Sequence, residues 1–178
     1  MTIAVHRDPV ERAAAAAQGQ VISNFSGNID GTEPQSFEVD NASCTVIEPL
    51  NHFYETFPVS VTASGAYDYT DLSISFDLDM QLTVYTDSYD PGDILTNCVT
   101  RFDDSGTVTL NAGTQYVFVV QPLFDATANT GDWEFELDGP GEVLRGTQAE
   151  AVPALPLPGL FALIGLLGLG VARALRRR

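Results

Sequence analysis

Phe57-Pro58-Val59-Ser60-Val61-Thr62-Ala63 places Phe57, Val59, Val61 and Ala63 on one side of an extended chain. Side chains alternate across a strand, so a period of two marks a strand with one buried face. Leu72-Ser73-Ile74-Ser75-Phe76-Asp77-Leu78-Asp79-Met80 repeats the pattern, with Ser and Asp on the other side. That side is expected to meet water, as antiparallel sheets allow. Gln81 to Tyr85, Thr107 to Leu110, Gln115 to Val120 and Trp133 to Leu137 read as further strands. Tyr116 to Val120 is apolar on both faces and should lie centrally.

Turn signals separate these strands: Ser64-Gly65, Asp90-Pro91-Gly92, Asp104-Ser105-Gly106, Asn111-Ala112-Gly113, Thr130-Gly131-Asp132 and Gly139-Pro140-Gly141. Helical periodicity is absent between Val21 and Leu144. Short strands and short turns predict an all-β fold, an antiparallel β-sandwich of jelly-roll-like form, over 21–146.

Outside this domain the chain changes character. Its 178 residues carry a net charge of −16, and all eight basic residues are Arg. Between Val21 and Glu150 there are 22 acidic residues against Arg101 and Arg145 alone. Affinity for nucleic acid comes mainly from cationic side chains, so no nucleic-acid partner is expected. A solvated acidic surface suits an exported protein. Cys44 and Cys98 fit one disulfide in such a domain; two buried thiols are the alternative. No CxxC spacing supports zinc.

The segment 147–158 is Pro-rich, and Pro153, Pro156 and Pro158 favour an extended strip. From Gly159 to Ala172 every residue is apolar or Gly. A helix with no polar face belongs in a core or in lipid. About 15 residues make roughly 22 Å of helix, short of the ~30 Å hydrocarbon layer, and snorkelling arginines can cover the gap. Arg173, Arg176, Arg177 and Arg178 follow within 173–178. Positive charge stays on the cytoplasmic side, so 159–172 is expected to span the membrane with the domain outside.

This order of Pro-containing motif, apolar helix and terminal Arg cluster resembles the PEP-CTERM class of bacterial sorting signals. Val152-Pro153-Ala154-Leu155, followed by Pro156, looks most like the IPTL-CTERM variant, with Val in place of Ile and Ala in place of Thr. The resemblance implies an exosortase-like enzyme as partner, and residues 152–156 as its processing motif. It also implies a location on the outer face of the inner membrane, then at the cell surface or secreted. An exopolysaccharide is a candidate matrix partner. A permanent tail anchor is the competing reading.

Such a tail requires export. The leader 1–20 has charged residues up to Arg12 and no apolar run before Ala13–Ala17 and Gln18, which look like the end of a signal peptide. Two readings stay open: the remnant of an export signal, or a short Ala-rich leader.

Pieces between about residues 50 and 143 also resemble, in order, exported sandwich domains related to the pre-peptidase C-terminal domain. These include Phe57–Tyr67, Leu82-Thr83-Val84-Tyr85 leading to Tyr89-Asp90-Pro91, Leu110–Tyr116 and Asp138-Gly139-Pro140-Gly141. That resemblance implies an accessory, non-catalytic role.

Chemistry is scarce. Catalysis needs a nucleophile, base or metal in mutual reach. The two histidines are His6 in the leader and His52, expected on the surface or in a loop. No Gly-x-Ser-x-Gly, HExxH, Walker or GxGxxG motif occurs. Without Lys, Schiff-base chemistry is excluded. The expectation is therefore no enzyme and no cofactor. Asp87, Asp90, Asp93, Asp103 and Asp104 lie in loops of the kind that bind Ca²⁺, without EF-hand order. Tyr67, Tyr69, Tyr85, Tyr89 and Trp133 are expected in packing rather than on a sugar-binding face. The alternative function is a membrane-anchored Ca-dependent or carbohydrate-binding module.

Overall fold

The computed structural model describes residues 19–73, 80–123 and 130–146. Leader residues 1–18, the proline strip, the apolar stretch and the Arg cluster lie outside the described residues, as do Asp77 and Asp79. The chain divides into units 1–148 and 149–178, and every described residue belongs to the first.

Among the described residues eleven strands form: β1 (Val21–Ile29), β2 (Gln35–Val39), β3 (Ile47–Phe53), β4 (Glu55–Val61), β5 (Gly65–Asp71), β6 (Met80–Thr86), β7 (Cys98–Phe102), β8 (Ser105–Leu110), β9 (Tyr116–Pro122), β10 (Gly131–Gly139) and β11 (Val143–Arg145). The fold is all-β, and the paired strands run antiparallel. Sheet one has the order β1-β10-β5-β8, and sheet two the order β11-β4-β9-β6-β7. β2 and β3 form a separate two-stranded sheet.

The inward residues follow the alternation. Phe57, Val59 and Val61 of β4, and Trp133, Phe135 and Leu137 of β10, all enter one hydrophobic core. β9 occupies the middle of sheet two, as its two apolar faces require. Aromatic rings join the sheets. Phe25, Tyr69, Trp133 and Phe135 from sheet one meet Phe57, Phe102 and Phe118 from sheet two. Trp133 stacks on Phe57 at 5.9 Å, Phe25 on Phe57 at 5.8 Å, and Tyr69 on Phe102 at 5.3 Å. Offset rings at such spacings add stabilisation beyond the area they bury.

Gly27 shows how tightly this core closes. It stands opposite Trp133 in the β1–β10 register, at a position whose side chain would point inward. A Cβ there would fall inside the Trp133 indole. Gly27→Ala is therefore expected to cost about 2 kcal/mol through overpacking. A denaturation midpoint equal to that of the parent protein would refute this.

The two cations of the domain are both used internally. Arg145 pairs with Glu55 and lies 4.0 Å over the Phe57 ring. The other oxygen of Glu55 accepts the Trp133 indole N–H at 3.2 Å. Arg101 holds Asp103 through Nη2 at 2.7 Å and Nη1 at 3.1 Å. Every charged residue of 19–146 besides these two is acidic.

Candidate functional site: a polar seam beneath the β2–β3 hairpin

The loop between β2 and β3 is built on Asn41. Its side-chain oxygen accepts the Thr45 N–H at 2.9 Å, and its amide donates to the Thr45 hydroxyl at 2.8 Å. The Asn41 carbonyl accepts the Cys44 N–H at 3.0 Å. This turn presents Cys44 to Cys98 at the start of β7, with Cα atoms 5.9 Å apart, and the disulfide closes there. The hairpin is thereby fastened to the edge strand of sheet two.

Between hairpin and sheet runs a continuous chain of hydrogen bonds. Arg101 Nε donates to Gln81 Oε1 at 2.5 Å, and Gln81 Nε2 donates to Gln121 Oε1 at 3.2 Å. Gln121 Nε2 reaches Ser36 Oγ and the Phe37 carbonyl, each at 3.3 Å. Ser36 and Tyr89 hydroxyls lie 2.6 Å apart. Burial pushes the Tyr89 phenol up to about 12, so it remains a neutral donor. Tyr85, raised by burial and by Tyr89, donates to the Ile94 carbonyl at 2.9 Å. Buried polar groups are stable when satisfied in this way.

Beside this chain, Glu38 Oε2 sits 3.4 Å from His52 Nε2. The two residues are only 3% and 1% exposed. Burial is the main cause that raises Glu38 to about 7. Arg101 opposes the shift, and Asp40, Glu48 and Asp103 add to it. A carboxylate and an imidazole in contact could exchange a proton, but both are sealed from solvent, so no substrate reaches them in this arrangement.

His52 is the clearest departure from expectation. Rather than lying on the surface or in a loop, it belongs to β3 and is buried against Glu38, because the hairpin turns that side toward sheet two. The aromatics behave as expected: Tyr67, Tyr69, Tyr85 and Trp133 are fully buried. The loop aspartates serve turns and pairs. Asp90 accepts the Gly92 N–H at 2.8 Å, Asp93 accepts the Thr96 hydroxyl at 2.8 Å, and Asp103 holds Arg101. Asp87 has a left-handed backbone, and the Asp104 carbonyl accepts the Asp71 N–H. Among the described residues, no three or more His, Cys, Asp or Glu side chains gather as a metal site. No helix among the described residues is long and apolar enough to cross a membrane.

A shallow groove also lies at one end of sheet one, lined by Ser26, Asn28, Ser73, Asp132 and Glu134 over Trp133. Asn28 donates to Asp132 across it at 2.7 Å. Sequence reasoning missed both the seam and the groove. For the seam, the one available signal was Ser36, Glu38, Gln81 and Gln121 at alternating strand positions.

No protein-family profile matches the chain, and no curated protein matches it. Among solved structures, the Yersinia pseudotuberculosis-derived mitogen is similar with 11% identity and a TM-score of 0.40, over 77% of this chain and 98% of that one. The periplasmic g-type lysozyme inhibitor PliG of Aeromonas hydrophila is similar with 14% identity and a TM-score of 0.37, over 71% and 85%. Likenesses this distant carry no function to the chain.

Proposed function

We propose that the chain is a non-enzymatic exported protein of the cell surface or extracellular matrix. Its β domain, a jelly-roll-like sandwich, is displayed outside the cell. The apolar stretch 159–172 spans the membrane as a helix, and an exosortase-like enzyme processes the tail at Val152–Pro156. The observation that carries this reading is the Cys44–Cys98 bond. Structural disulfides persist in oxidising compartments and are rare in the cytosol of mesophiles. The acidic surface supports it, since both domain cations are held in internal pairs. The order of proline strip, apolar stretch and arginines supplies the anchoring part of the proposal.

The mass of the mature protein from its native host tests the reading. A C-terminus between Val152 and Pro158, on protein recovered outside the cytoplasm, is the expected result. Full-length chain ending in Arg178 would sink processing, and reduced cysteines in a cytoplasmic pool would sink export.

A further inference from the structure

The β2–β3 hairpin is amphipathic in the reverse sense. Its side chains toward sheet two are mostly polar, namely Ser36, Glu38 and His52, with Val39 the one buried aliphatic. Phe37 and Leu50, by contrast, are 43% and 52% exposed. No residue of either strand belongs to the core; Phe53 only packs against it. Hydrophobic burial therefore holds the hairpin weakly, and hydrogen bonds with charge balance do most of the fastening. Contacts of that kind depend on protonation.

The charged groups around the Glu38 carboxyl come from every neighbouring element. β3 supplies His52 and Glu48, β7 supplies Arg101, the turn after β7 supplies Asp103, and Asp40 follows β2. Arg101 is already engaged by Asp103. We propose that the hairpin is a pH-gated strap over the outer face of sheet two, closed while the Glu38–His52 contact keeps one proton and lifted when that proton leaves. A carboxylic acid beside imidazole, or a carboxylate beside imidazolium, carries no net charge. Loss of the proton leaves a buried carboxylate facing three others, with Arg101 as the only cation beside it and that cation shared with Asp103; so poorly balanced a buried charge is costly.

The sign follows from linkage. Glu38 binds its proton more tightly in the closed strap, at about 7 against an ordinary value of 4.5. Its contribution to closure is fully present below pH 4.5 and is lost as pH rises through about 7. The Cys44–Cys98 bond keeps the lifted strap attached. Opening uncovers Gln81, Thr83 and Gln121, a face of amide and hydroxyl groups suited to a hydrogen-bonding ligand.

Amide hydrogen exchange of the full chain at pH 5.5 and 8.5, corrected for intrinsic rates, reads this directly. Protection in β2 and β3 is expected to fall about tenfold or more at the higher pH, with β10 unchanged. Glu38→Gln, neutral at both values, is expected to keep the strap closed at both. Equal protection of the wild-type hairpin at the two pH values overturns the proposal, as does a Glu38→Gln strap that still opens. NMR titration of the wild-type Glu38 carboxyl decides the matter without any variant. A midpoint near 7 supports the strap, and one near 4.5 overturns it.

Discussion

Phe135→Ala is expected to lower the free energy of unfolding by about 4 kcal/mol, the range seen for Phe removed from a close-packed core. Phe135 is fully buried at the centre of β10. Its ring lies 5.0 Å from Phe25, 5.5 Å from Tyr69, 5.7 Å from Trp133 and 6.3 Å from Phe118. Those neighbours belong to four strands of both sheets, so no single side chain can move in to fill the void. Rigid aromatic walls relax poorly, which places the cost toward the upper end of the range. A loss of that size consumes a large part of the stability of a typical domain. Phe37→Ala is the control, because Phe37 is exposed; its effect should stay within about 0.5 kcal/mol. Urea denaturation of the three proteins checks the pair. Equal midpoints for Phe135→Ala and Phe37→Ala would mean that the two sheets do not share this core.

Replacing Cys44 and Cys98 together by Ser is expected to cost about 4 kcal/mol. The two cysteines are 54 residues apart in sequence. The loop they close contains β3, β4, β5 and β6, including the core residues Phe57, Tyr67 and Leu82. Cross-linking so long a segment removes much of the freedom of the unfolded chain, and on the chain-entropy account the gain grows with loop length. Reduction of the wild-type protein should reproduce the effect of the double substitution. A difference below about 1 kcal/mol between oxidised and reduced protein would defeat the entropic account. A loss near the expected value makes the fold depend on an oxidising compartment, and so bears on export as well.

Several elements were legible because their local pattern and their environment agree. β4 alternates Phe57, Val59 and Val61 with Thr56, Pro58 and Ser60, and the odd-numbered set enters the core. β9 is apolar throughout Tyr116 to Val120 and lies in mid-sheet. β1 is less legible, because Gly27 interrupts its inward series. The interruption has a cause in another strand: the Trp133 indole fills the space that a side chain at 27 would take. The hairpin was harder still. Its apolar Phe37 and Leu50 are exposed while Ser36, Glu38 and His52 are buried, so hydrophobic alternation reads its faces the wrong way round. On the outer face of sheet one, Glu136 and Asp138 are buried against the same rule.

What the amino-acid order determined by itself was the all-β class, the inward side of strands that alternate regularly, such as β4 and β10, and the positions of several turns. With two cysteines in the chain, it also left only one intramolecular pairing open. Tertiary structure alone decided which polar residues would be enclosed. Alternation along a strand distinguishes two faces, but it says nothing of what a segment distant in sequence lays across the polar one. Gln81, Gln121, Arg101, Glu38 and His52 became a buried seam because β2 and β3 fold over sheet two and Cys44 reaches Cys98. Burial then supplied the electrostatics, since desolvation raises the proton affinity of Glu38 more than its chain neighbour Asp40 does.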